Sequence, residues 1–251
     1  VLELLRVQVL AVLGRTDDIN DAYKRLVEAN PDDANYRRLY VTSLIELKKL
    51  DEAREQLVEV AKLLPKQDEA KLDVVRIDYR NGGRAKAEET FRNYIEENPD
   101  ESDLKFALGA FLREQKDNAA AEKVYTQIAE RKGAELDEVL RARNEIAAIR
   151  ITDGKTAEAE TIITEILAKD PKDSGALTKR AGFMIDKGEI DAAIGDLRVV
   201  VNDSPDAWGP RLLLASAYER KGDLNLAESE FARAVEAAKR AARPSSLFAR
   251  Y

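Results

Sequence analysis

Between Ser174 and Ala207 the apolar residues fall into two short runs at helical spacing. Leu177, Ala181 and Met184 mark one face, and Ala193, Leu197 and Val200 mark a second. Apolar positions three and four apart belong to a helix with one buried side. Lys187-Gly188-Glu189 interrupts the pattern and Ser204-Pro205-Asp206 closes it. The stretch predicts two amphipathic helices joined by a turn.

The closing proline recurs. Pro31, Pro65 and Pro99 stand 34 residues apart, as do Pro171 and Pro205. The gap from Pro99 to Pro171 is 72, two periods plus four residues. An alanine keeps the same period at Ala53, Ala87 and Ala121, then at Ala159, Ala193 and Ala227. A fixed period of this size indicates an array of helical hairpins. Numbered 1 to 34 within each repeat, position 8 holds Val41, Val75, Gly109, Ala147, Ala181 and Ala215, mostly small. Position 20 is the recurring alanine. Small side chains at both places let helix axes approach to about 8–10 Å. Position 24 is bulky, with Leu57, Phe91, Tyr125, Ile163, Leu197 and Phe231 filling the space between hairpins. Gly82, Gly154, Gly188 and Gly222 mark the turns, where a left-handed residue ends the first helix. Asp33, Ser102 and Ser174 stand where the next helix needs a cap.

These residues resemble the tetratricopeptide repeat family over nearly the whole chain. The resemblance implies an all-α fold, an alpha-alpha superhelix built as one solenoid of antiparallel hairpins over residues 1–251. Its repeats are a degenerate 1–33, then 34–67, 68–101, 102–135, 140–173, 174–207 and 208–241, with 242–251 starting a further helix. Two registers compete in 1–33: one places Ala22 at position 20, the other, counted back from Pro31, places Ile19 there. The need for a small residue favours Ala22 and leaves the second helix short by nearly a turn. The four residues added before 140 lengthen a connection or add a turn to the next helix, and could bend the superhelix. Asp78 and Arg150 at position 11, and Arg180 at position 7, replace apolar residues. Either long stems carry their charges to water, or the groups are paired inside or contact a ligand.

Composition narrows the chemistry. The chain has 251 residues, 44% hydrophobic and 35% charged, enough for a sizeable core. Its 41 basic and 48 acidic residues give a net charge of −7, which argues against a nucleic-acid partner. There is no histidine and no cysteine, so triads and metal sites that use them are excluded. Gly154-Lys155-Thr156 imitates the end of a phosphate-binding loop, but Ile149 replaces the required earlier glycine. It reads as a repeat turn. No enzyme activity and no cofactor are expected. No run of 18 apolar residues offers a membrane span. The chain opens at Val1 within a helical pattern and closes on the start of another, so a fragment of a longer protein is expected, with uncapped ends that could stack into a homo-oligomer.

In the family, positions 2, 5, 9, 12 and 13 of the first helices commonly face the concave side. The resemblance thus nominates Arg38, Leu72, Arg76, Tyr79, Arg80, Phe106 and Arg113 as a partner-binding groove. Arginine and aromatic residues are frequent anchors at interfaces, and guanidinium pairs bidentately with carboxylates. The expected function is a scaffold that holds a peptide or protein with acidic and apolar anchors, within a larger assembly. A plain solvated surface is the alternative reading of the same residues. The pattern of Lys at position 5 with Asn at position 9 that clamps chaperone C-termini is matched by no repeat here. Competing readings are a self-assembling array, an accessory module of a bacterial envelope or exopolysaccharide secretion system, and an RNA-binding array of similar hairpins. A loose resemblance of Ala193-Ile194-Gly195-Asp196-Leu197-Arg198 to bacterial envelope repeat proteins points toward a periplasmic setting.

Overall fold

The structure, a computed structural model, describes residues 2–241, excluding the side chains of Leu2 and Ala11. The expected helix at 242–251 lies outside the described residues. Within them every regular element is a helix: α1 (Leu2–Val12), α2 (Thr16–Ala29), α3 (Ala34–Glu46), α4 (Leu50–Leu63), α5 (Asp68–Glu97), α6 (Ser102–Glu114), α7 (Asn118–Ala129), α8 (Leu136–Thr152), α9 (Thr156–Lys169), α10 (Ser174–Lys187), α11 (Ile190–Asp203), α12 (Trp208–Lys221) and α13 (Leu224–Ala241). They gather into two compact units, one ending at Leu108 and the other beginning at Gly109.

The proline-bearing ends behave as the chemistry requires. α2, α4, α9 and α11 stop at Ala29, Leu63, Lys169 and Asp203, each two residues before a proline, because the residue preceding proline is pushed out of the helical region. Aspartates start the following helices. Asp33 accepts from the backbone N–H of Asn35 at 2.8 Å, and Asp173 from that of Ala176 at 2.7 Å. The cap of α10 is thus Asp173, and Ser174 is its first helical residue.

The hairpin turns share one geometry. The residue at position 15 is left-handed, and the next N–H donates to the carbonyl five residues earlier, as in Glu189 N to Met184 O at 2.8 Å. Two repeats build this turn with lysine, Lys48 at φ 60° and Lys116 at φ 62°. A side chain in that conformation costs about 1–2 kcal/mol relative to the ordinary helical region. Lys48→Gly and Lys116→Gly should therefore each raise the unfolding free energy by up to about 1 kcal/mol, read by urea denaturation, after the larger chain entropy of unfolded glycine is offset. The repeat at 68–101 departs from this turn. Gly83, not Gly82, takes positive φ, at φ 70° and ψ −163°, so α5 continues through the expected turn with a break inside it. That combination of angles is open essentially to glycine alone.

The first hairpin corrects another expectation. Gly14 is left-handed, Arg15 N donates to Leu10 O, and α2 starts at Thr16 with 14 residues, as long as α4. The helix ends therefore follow the register counted from Pro31, and α2 is not shortened. Ala22 is nonetheless fully buried against Val7 and Leu10, so the need for a small residue is met one turn later than in other repeats. The four added residues appear as an extra first turn: α8 has 17 residues where α10 and α12 have 14.

The cores follow the position rules. Ala53, Ala87, Ala121, Ala159 and Ala193 are fully buried, as are Leu57, Phe91 and Leu197 at position 24. A Cβ built on Gly109 would lie 2.5 Å from the Tyr125 ring, so position 8 is empty there because position 24 is aromatic. In the second unit α8 touches α10 and α10 touches α12, which lays these first helices side by side.

Of the three irregular charges, only Arg180 resembles the exposed reading. It is half-exposed and bidentate to Asp196, at 2.7 and 2.8 Å. Arg150 is largely buried, paired with Glu122 and, at 3.2 Å, with Glu158. Asp78 is 0% exposed. It accepts from Arg54 Nε at 2.6 Å and Thr90 Oγ1 at 2.7 Å, with Lys86 Nζ at 3.4 Å. A short acidic side chain cannot reach water from that depth, so partners are brought to it.

Candidate functional site

Four of the nominated groove residues remain accessible on the first helices of the unit that ends at Leu108. Arg38 lies on α3 and is half-buried, Leu72 and Tyr79 lie on α5 and are half-buried, and Arg80 on α5 is exposed. Residues 72, 76, 79 and 80 share one stripe of a helix by its 3.6-residue period. Within that stripe Arg76 is turned inward. It is 6% exposed and bound to Asp73 and to Glu69 Oε1 at 2.9 Å. Phe106 is buried as well. Among the described arginines, Arg38 and Arg80 are the two whose guanidinium has neither a hydrogen bond nor an ion pair.

Arg113 belongs to the other unit and sits in a polar cluster there. It pairs with Glu145 of α8 and hydrogen-bonds Tyr125 of α7. Tyr125 is fully buried, and burial, with the nearby Glu145 charge, pushes its phenol up to about 12. The folded state thus holds the proton that the unfolded chain releases near 10. Stability from this group is complete below pH 10 and is lost as pH rises through about 12. Relative to Tyr125→Phe, the wild-type melting midpoint should fall between pH 10 and pH 12, and a constant difference across that window would refute the assignment.

Next to this pair, Asn144 bridges α8 and α10. Its Nδ2 donates to Leu140 O at 3.1 Å and to Asp173 Oδ1 at 2.9 Å. Its Oδ1 accepts from Lys179 Nζ at 3.0 Å, and Lys179 Nζ also donates to Gly175 O at 3.3 Å. A Cβ on Gly175 would lie 2.7 Å from Asn144 Oδ1, so the glycine is what admits the amide. Burial lowers the Lys179 pKa. Sequence reasoning did not single out Asn144, Glu145 or Lys179. Their relation crosses two repeats, and the one visible sign was the pair of glycines, Gly175 and Gly182, in a single helix.

Among the described residues no helix is long and apolar enough to cross a membrane, and no group of histidine, cysteine or acidic residues is arranged to hold a metal ion.

The tetratricopeptide repeat model matches residues 4–68, 73–135 and 185–245. Among solved structures, a tetratricopeptide repeat protein from Parabacteroides merdae is 17% identical with TM-score 0.57, over 98% of this chain and 94% of that one. PilW, a type IV pilus biogenesis factor, is 18% identical with TM-score 0.51, over 86% of this chain and 96% of its own. Yeast Tom70 is 14% identical with TM-score 0.56, over 90% of this chain and 47% of its own. At these identities the likeness is one of fold. No curated protein matches the chain. The repeats are those of a non-enzymatic scaffold family whose members engage other proteins. With its model matched over most of the sequence, and with hairpins built on small residues at positions 8 and 20, the chain belongs to the tetratricopeptide repeat family.

Proposed function

We propose that the first helices of the unit ending at Leu108 dock a peptide segment with acidic and apolar anchors. One observation carries this reading: among the described arginines, which are otherwise engaged internally, the guanidinium groups of Arg38 and Arg80 have neither a hydrogen bond nor an ion pair. Carboxylates of a partner are the natural complement to two such forks. Leu72 and Tyr79 offer half-buried apolar surface on the same helix face as Arg80. Arg76 holds the face together through Asp73 and Glu69, and its replacement should weaken the fold rather than the docking.

The test is an array of short immobilised peptides graded in acidic and apolar content, probed with the whole chain. Peptides carrying both should be captured in preference to neutral or basic ones. Arg38→Ala and Arg80→Ala should each weaken capture about tenfold, a loss of about 1.4 kcal/mol and more than most interface residues give on truncation. Indifference to peptide charge, or full capture by the double variant, would sink the reading.

A further inference from the structure

Position 4 of the first helices carries a cation that, in two repeats, ties the preceding prolyl carbonyl to the residue at position 23. Arg37 donates to Pro31 O at 3.0 and 2.8 Å and to Gln56 Oε1 at 2.6 Å. Arg211 donates to Pro205 O at 2.8 Å and to Glu230 Oε2 at 2.7 Å. The repeat at 68–101 lacks this tie. Lys71, at position 4, turns to Asp68 Oδ1 at 3.1 Å and Glu101 Oε2 at 2.9 Å. Thr90, at position 23, gives its hydroxyl to Asp78 and to Lys86 O. Among the described residues no side chain donates to Pro65 O.

A cavity of about 390 Å³ stands where these two side chains part, between α4 and the portion of α5 beyond Gly83. Sites for small molecules span about 300–1,000 Å³. Val58, Ala61, Pro65 and the ring of Tyr94 give it an apolar wall. Its charged residues are Arg54, Lys62, Lys71 and Glu97, three cations against one acid. Arg54 spends Nε on Asp78, and its two terminal nitrogens make no hydrogen bond among the described residues. The Tyr94 hydroxyl makes none either. Burial, with the Glu97 charge, raises the Tyr94 pKa, so the phenol keeps its proton to donate. Arg54 and Lys71 both stand near enough to act on that phenol in the opposite sense.

We propose that this cavity, on the second helices rather than the first, binds a small free monocarboxylate that carries an apolar ring or chain. The two terminal nitrogens of Arg54 take the carboxylate end-on, since Nε is already committed to Asp78. The Tyr94 hydroxyl donates to one of its oxygens, and the apolar body lies against Val58, Ala61 and Pro65. A single charge suits the place better than the double charge of a phosphate. Glu97 faces the cavity and Asp78 stands behind Arg54, so each added negative charge meets more repulsion. The site is independent of the docking proposed for Arg38 and Arg80, and either can fail alone.

Sodium benzoate is the probe, titrated calorimetrically into the whole chain at constant ionic strength, with benzyl alcohol and inorganic phosphate in parallel arms. Benzoate should bind saturably at one site, and the neutral alcohol and the phosphate should each bind at least about tenfold more weakly. Tyr94→Phe removes a hydroxyl that nothing in the chain uses, so its melting midpoint without ligand should match the wild type. Its benzoate affinity should fall about tenfold, the loss of one hydrogen bond to a charged group. Tyr23→Phe, on α2 and away from the cavity, should leave that affinity intact. Glu97→Gln, at an exposed residue, keeps the test independent of the tyrosine and should tighten benzoate about twofold by removing the one acid that faces the cavity. Absence of saturable benzoate binding, equal affinity for benzyl alcohol, preference for phosphate, full affinity in Tyr94→Phe, or no tightening in Glu97→Gln would each overturn the proposal.

Discussion

Asp78→Ala is expected to lower the unfolding free energy by about 3 kcal/mol, the low end of the 3–5 kcal/mol seen when one member of a buried ion pair is removed. The carboxylate is wholly enclosed and holds Arg54, Lys86 and Thr90 around it. Its hydrogen bond is also what raises the Arg54 pKa. The low end applies because both cations are partly exposed, 37% for Arg54 and 36% for Lys86, and can swing into water once released. What remains is a cavity at the centre of α5 and a buried Thr90 hydroxyl that keeps the Lys86 carbonyl as a partner. Asp78→Asn preserves the shape and an acceptor for Thr90, so its cost should be smaller. Urea denaturation followed by circular dichroism measures both. Equal, small losses for the two variants would mean that the pairing contributes little.

The second large effect is a reversal of sign. Glycine to alanine inside a helix ordinarily stabilises by about 0.5–1 kcal/mol. At Gly195, where nothing lies within 4 Å of a built Cβ, that gain is expected. Gly109→Ala should instead destabilise by about 1–3 kcal/mol, because overpacking a filled core outweighs the gain in helix propensity. The added carbon would meet Tyr125 Cε1 and Cζ at 2.5 Å, and the ring has no room to retreat since Tyr125 is fully buried. Tyr125→Leu, which shortens the side chain, should relieve the clash. The double variant is then less destabilised than the sum of the singles, the mark of residues in contact. Additivity, or a stabilising Gly109→Ala, would show that the crossing is looser than the geometry indicates.

These two sites show how far the sequence could be read. The helices, their hairpin pairing and the small residues at positions 8 and 20 were legible because each repeats with the period and obeys a local rule. Gly109 and Tyr125 were visible one at a time, as a small and a bulky residue. That one makes room for the other depends on how two helices cross, which no single position records. Asp78 stood out as a departure from pattern, yet its partners lie 24 residues before it and 12 after, so its burial could not be separated from exposure. The groove residues divide in the same way. Arg80 and Arg76 occupy one periodic stripe, and only the placement of Asp73 and Glu69 turns one of them inward. The turn at Gly83 and the ends of α2 were missed for a more local reason. Two adjacent glycines, or two competing registers, satisfy the same pattern until backbone angles decide between them.

The early start of α8 has a mechanical corollary. With 17 residues against 14, α8 is longer than its neighbours by about 4.5 Å at 1.5 Å per residue, so among the parallel staves α8, α10 and α12 one stands taller than its fellows. A guest lying across all three meets a step rather than a level rail. Strictly periodic guests are therefore poor matches for this stretch, and one with a matching notch can seat in a single register.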